Sequence, residues 1–163
     1  MSNLKEKEVR DETIDLAEKL IIENGDPIVC PLKHRFTDGM YIREVFVPAG
    51  SLFTTAIHKK QHPFVISLGK YKVYDGDNIL VIEAPHTGIT EPNTRRLIYA
   101  EEDTICTTFH ITDKTDVDEI EKEIIIDHKP CIFPKKLQMG AAICWISIKK
   151  QQEASMVIQI IKS

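Results

Sequence analysis

Two histidines, His58 and His62, flank Lys59 and Lys60 in a stretch of β-branched and aromatic residues that runs from Gly50 to Gly69. Imidazole binds metals through a neutral nitrogen, moves protons near neutral pH, and donates hydrogen bonds to anions. His86 and His110 add two more imidazoles further along, and Arg95 and Arg96 add adjacent guanidinium groups. Arginine stays protonated and cannot ligate a metal, but its planar fork matches a carboxylate or a phosphate. His58, Lys60, His62, Arg95 and Arg96 therefore concentrate positive charge within a chain of net charge −4. His34 and His128 fall in expected connecting segments and read as solvated. The chain carries no phosphate-binding G-x-x-x-x-G-K-[ST] loop, no nucleophile elbow and no H-E-x-x-H pair. The common nucleotide hydrolases, serine hydrolases and zinc proteases are thereby set aside, and no catalytic residue is assigned.

The elements that must position these residues are mostly strands. Residues 11–23 read as an amphipathic helix, with Ile14, Ala17, Leu20 and Ile21 at helical spacing and Asn24-Gly25 as its stop. From 28 to 111 the chain turns to short Val-, Ile-, Phe-, Tyr- and Thr-rich runs, near 28–30, 40–47, 52–58, 62–68, 70–74, 79–83, 95–100 and 104–111. They are separated by turn residues such as Asp38-Gly39 and Pro48-Ala49-Gly50. Many short strands without intervening helices predict antiparallel sheets that deal with their edges by closing into a sandwich or barrel. Residues 113–125 return to helical spacing, with Asp113 and Thr115 as caps and Val117, Ile120 and Ile124 on one face. For 136–162, mixed propensities favour helix over strand. The expected organisation is an N-terminal helical extension (1–27), a β-barrel (28–112) and a C-terminal helical extension (113–163).

At 163 residues, 42% hydrophobic and 28% charged, the chain has the composition of one globular domain. Its acidity disfavours a nucleic-acid binder. Cys30, Cys106, Cys131 and Cys144 lie far apart, which predicts buried thiols in a reducing compartment. The charged N-terminus is unlike a signal peptide, and Lys149-Lys150-Gln151-Gln152-Glu153 interrupts the one long apolar region, so no membrane span is expected. A cytoplasmic protein follows as the expectation.

The central stretch resembles the first cupin motif, G-x5-H-x-H-x3-E-x6-G. Gly50 takes the first glycine, His58 the second histidine and Gly69 the last glycine, while Ala56 replaces the first histidine and His62 the glutamate. The run 91–100 resembles the second motif in spacing, with Arg96 at the histidine position and Ala100 at the asparagine. The segments around 84–88 and 101–110 are also similar to uncharacterised cupin-like proteins of phages and prophages. The resemblance implies a jelly-roll β-barrel and a small-molecule pocket. It also implies a divalent metal (iron, manganese, nickel or zinc), with His58 and His62 as its ligands and His110 or His86 as a third. A homodimer or higher homo-oligomer is the expected assembly.

Strand alternation adds that His58, His62 and Arg96 can face one cavity. An inward Arg96 needs an anionic partner, supplied either by a ligand's carboxylate or phosphate or by Glu44, Glu83 or Glu101. Three function classes remain. The first is a binding protein for a small anionic ligand, with His58, Lys60, His62, His86, Arg95, Arg96 and His110 around it, such as a phage protein that sequesters a host metabolite or nucleotide. The second is a metal-dependent cupin enzyme of oxygenase, isomerase or lyase type. The third is a phage structural or assembly protein.

Overall fold

A computed structural model describes residues 13–23, 26–75, 78–126, 141–146 and 161, with the backbone alone for 141–146. Helix α1 (13–23) is followed by strands β1 (Asp26–Thr37), β2 (Met40–Val47), β3 (Ser51–Thr54), β4 (His62–Leu68), β5 (Lys70–Tyr74), β6 (Ile79–Glu83), β7 (His86–Thr90), β8 (Leu97–Ala100) and β9 (Thr104–Ile111). Helix α2 (Val117–Ile124) and strand β10 (Ala141–Ile146) complete the described elements.

All strand pairs are antiparallel, in the order β6-β5-β8-β3-β10-β1-β2-β9-β4-β7. The long β1 serves two sheets: Asp26–Pro31 pair with β10, and Leu32–Thr37 pair with β2. The two sheets face each other in a jelly-roll manner, and Cys30, Val47, Ile66, Tyr71, Val73, Ile98 and Ala100 pack together as the core cluster. The mainly β class with flanking helices thus forms as expected, but β6 and β7 stand at opposite ends of the strand order, so the sheets do not close into a barrel.

Period-two burial is clear in β1, β5 and β7, and Tyr71 and Val73 on β5 are its simplest case. The β4–β5 connection turns on Gly69, whose φ of +85° suits glycine. A Cβ there would stand 2.2 Å from the Asp103 carbonyl oxygen. On α1, Ile14, Ala17 and Ile21 are buried, and Ala17 and Ile21 pack with Leu52, Leu97 and Ile161. Ile120 and Ile124 seat α2 on Tyr41. Burial of each isoleucine contributes about 1.5–3 kcal/mol relative to exposure.

Several expectations need correction. Residues 141–146 form a strand, not a helix, because Ile143, Cys144, Trp145 and Ile146 are residues that fit a pleated sheet, and the gap between β1 and β3 pairs them on both sides; the remainder of 136–162, apart from Ile161, lies outside the described residues, as does His128. Strand β7 went unforeseen, and residues 55–57 after β3 are irregular. The cap of α2 is Asp116, whose Oδ1 accepts from the Glu119 N–H at 3.0 Å, in place of Asp113 or Thr115. Cys30 is disulfide-bonded, while Cys106 is a free thiol. Spacing along the chain carries no information on proximity across strands, and the thiol argument for a reducing compartment falls away. Among the described residues no helix is long and apolar enough to cross a membrane.

Candidate functional site

Three imidazoles meet where β4, β9 and the β3–β4 connection converge. His62 opens β4, His110 lies near the end of β9, and His58 sits in the connection. Their ring centroids are 4.2 Å apart for His58 and His62, 4.5 Å for His62 and His110, and 5.2 Å for His58 and His110. One ring nitrogen from each lies within 4.8 Å of the other two.

The connection holds His58 in place by its backbone. The Asn93 N–H donates to the His58 carbonyl (2.9 Å), the Lys59 N–H to the Ile124 carbonyl (2.8 Å), and the Ile126 N–H to the Ile57 carbonyl (2.9 Å). His58 and Ile125 form an isolated antiparallel bridge. The Lys59 ammonium donates to the Lys122 carbonyl, which also satisfies the C-terminal end of α2. Helix α2, seated through Ile120 and Ile124, is therefore the brace that positions the first imidazole.

The neighbours of each ring favour particular nitrogens for donation. His62 Nδ1 lies 3.4 Å from the Lys60 carbonyl, which can only accept, so Nδ1 carries the proton and Nε2 keeps its lone pair. His110 Nε2 is 3.1 Å from Thr108 Oγ1. His58 Nδ1 is buried and makes no hydrogen bond of ordinary geometry among the described residues, while the Ala56 backbone beside it partly offsets the lowering of its pKa. All three rings are held neutral. Burial pushes His58 and His110 down to about 3, aided by the neighbouring imidazoles and by Arg43. Burial also lowers His62, partly offset by the Lys60 carbonyl, and Arg96 lowers it further. Neutral imidazole is the form that binds metal.

His58 and His62 open onto a cavity of about 120 Å³ between the sheets. Phe64, Ile66, Val73, Ile82 and Ile98 give it apolar walls, with Tyr71 and Cys106 among them. Thr55, Thr90, Thr108 and Arg96 are its other polar contributors. Burial pushes the Cys106 thiol up to about 12 and raises the Tyr71 phenol well above its ordinary value, so both stay protonated. The Tyr71 hydroxyl is buried without a hydrogen-bond partner among the described residues.

Arg96 is half-buried, and burial lowers its pKa. Its Nη1 donates to Thr90 Oγ1 at a long 3.4 Å, and no described acid forms an ion pair with it. Glu44 is engaged by Lys33 and Arg35, and Glu101 by Lys70 and Lys72, so those internal partners are already taken.

The remaining sequence candidates lie elsewhere. Arg95 turns to α1, where it is buried and ion-paired with Asp15 and Glu18, so it is a tie between helix and sheet. Lys60 is exposed and paired with Glu123 at 3.4 Å. His86 stacks against Phe64 with centroids 5.9 Å apart and does not line the cavity. The third imidazole of the cluster is His110 on β9, one of the two residues offered for that place, and not His86. His34 is no solvated loop residue: on β1 its Nδ1 lies 2.6 Å from the Tyr41 hydroxyl. Tyr71 was visible in sequence only as one of several tyrosines at strand spacing.

No protein-family model and no curated sequence matches the chain. Solved structures similar in part include a cupin-2 domain protein from Shewanella frigidimarina, at 11% identity and TM-score 0.43, over 50% of this chain and 79% of that one. An acetylacetone dioxygenase from Acinetobacter johnsonii is similar at 15% identity and TM-score 0.45, over 55% of this chain and 63% of that one. KdgF from Halomonas sp. is similar at 12% identity and TM-score 0.44, over 55% and 82% of the respective chains. Likeness at this level carries no argument about function, and the site is read from its own residues.

Proposed function

We propose that this chain is a cupin-like metal protein in which His58, His62 and His110 hold one divalent transition metal beside a pocket for a small anionic molecule. The observation that carries the reading is the cluster itself: three neutral, largely buried imidazoles with one ring nitrogen each within 4.8 Å of the others. The donor set suits the metal, because imidazole ligands favour zinc, iron or nickel, whereas manganese prefers oxygen. Thr108 beside His110 and the Lys60 carbonyl beside His62 are the outer partners that orient such ligands.

When bound, the metal would supply Lewis-acid polarisation of a ligand oxygen. The chain's own residues do the rest. Three neutral ligands leave the ion's charge uncompensated, and Arg43 and Arg96 add to it. A negatively charged ligand restores the balance. Arg96 orients that charge, and the apolar walls exclude water, which strengthens each electrostatic contact. The neutral histidines cannot act as acids at neutral pH, so a proton needed by the ligand has to come with it or from solvent.

Elemental analysis of the purified protein, before and after incubation with zinc, ferrous and nickel salts, tests the reading. About one metal per chain, lost in a His58→Ala, His110→Ala double variant, is the expected result. A chain that takes up no metal under any of these conditions overturns it.

A further inference from the structure

The cavity restricts its occupant more than charge alone does. A water needs roughly 10–15 Å³ of such space, so about 120 Å³ admits a ligand of on the order of ten non-hydrogen atoms. A ligand of that size is smaller than a nucleotide. Phe64, Ile66, Val73, Ile82 and Ile98 form the cavity's apolar walls, and Thr55, Thr90 and Thr108 with His58 and His62 are the uncharged polar groups among them. One guanidinium lines the cavity, Arg96, which makes a long bond to Thr90 and no ion pair among the described residues, with Asp75 as the acid whose charge reaches it. A single planar fork on an apolar chamber matches one planar anion attached to an apolar body.

We propose that the cavity takes a small monocarboxylic acid with an aliphatic or aromatic body, its carboxylate on the Arg96 guanidinium and its body among the apolar walls. This rests on the cavity being the ligand site proposed above, and it narrows the anion from carboxylate or phosphate to carboxylate.

The test is calorimetric titration of the metal-loaded and the chelator-stripped protein with hexanoate, benzoate, hexan-1-ol, hexanamide, inorganic phosphate and adenosine monophosphate. The carboxylates are expected to bind roughly ten- to hundredfold more tightly than the alcohol and amide of the same length. Phosphate and the nucleotide are expected to show no heat. Arg96→Gln should abolish the preference for acid over amide, and where that variant does not fold, Arg96→Lys should reduce it. Equal affinity for hexanoate and hexanamide, or preference for phosphate, overturns the proposal. Persistence of the acid preference in the stripped protein assigns it to Arg96. Its disappearance there assigns the carboxylate to the metal and also overturns the proposal. Because metal content is measured separately, failure of the carboxylate class and failure of the metal reading give different results.

Discussion

The rings of His58 and His110 stack with their centroids 5.2 Å apart and their planes inclined by 15°. One belongs to an irregular connection braced by α2 and the other to the ordered strand β9. Burial penalises a proton on either ring, and two protonated rings at this distance would repel each other. The folded chain therefore favours both rings neutral, and this condition also prepares them to share a cation other than the proton.

The first consequence is a pH dependence of stability. Burial, reinforced by the neighbouring rings, depresses His58 and His110 from 6.5 to about 3 in the folded chain. Between these values the unfolded chain binds protons that the folded chain refuses. Stability is therefore full above about pH 6.5 and falls steadily as pH drops toward 3. Urea midpoints of chelator-stripped protein across this window should decline with falling pH, and a His58→Gln, His110→Gln variant should decline less. A flat profile in the unmodified chain contradicts the burial of the pair.

Tyr71→Phe should leave the fold intact and raise its stability by about 1 kcal/mol, since an unpartnered buried hydroxyl costs more than its removal. Chemical denaturation measures this. A loss of about 1 kcal/mol, the ordinary result for a hydrogen-bonded hydroxyl, would show that the phenol has a partner.

Arg95→Met should destabilise by about 3–5 kcal/mol, because Glu18 is left buried without its cation. The double variant Arg95→Met, Glu18→Leu should recover most of the loss, since apolar side chains can replace a buried pair. Ligand affinity in the double variant should match the unmodified chain, which separates Arg95 from Arg96. Equal destabilisation in the single and double variants would remove the tie between α1 and the sheet.

Gly69→Ala should cost several kcal/mol. It combines a positive φ with a Cβ placed 2.2 Å from the Asp103 carbonyl oxygen. Thermal unfolding is the measurement, and a midpoint within a degree or two of the parent would contradict the turn geometry.

The positions of several strands were legible because short β-branched and aromatic runs lie between turn residues, as in β2, β4 and β5, and in β5 burial alternates along the run. His58 and His62 stood out for the same reason, as polar residues among strand formers. Arg95 and Arg96 show where that legibility ends. Alternation says that neighbours on a strand point to opposite sides, but not which side holds a helix and which a cavity. Only the docking of α1 through Asp15 and Glu18 decides it. His110 was less visible as a ligand because its partners come from outside its own strand, and its role depends on the β4–β9 pairing. Strand β10 was hidden by a composition that suits both helix and strand, and it is the open place between β1 and β3 that selects the strand.

The central claim is that three imidazoles hold one metal. X-ray absorption at the edge of the metal bound to the full chain counts them directly. The expected spectrum shows about three imidazole nitrogens at about 2.0–2.1 Å, and the imidazole signal drops on His110→Ala. A first shell of sulfur, or one dominated by oxygen and unchanged by His110→Ala, would contradict it.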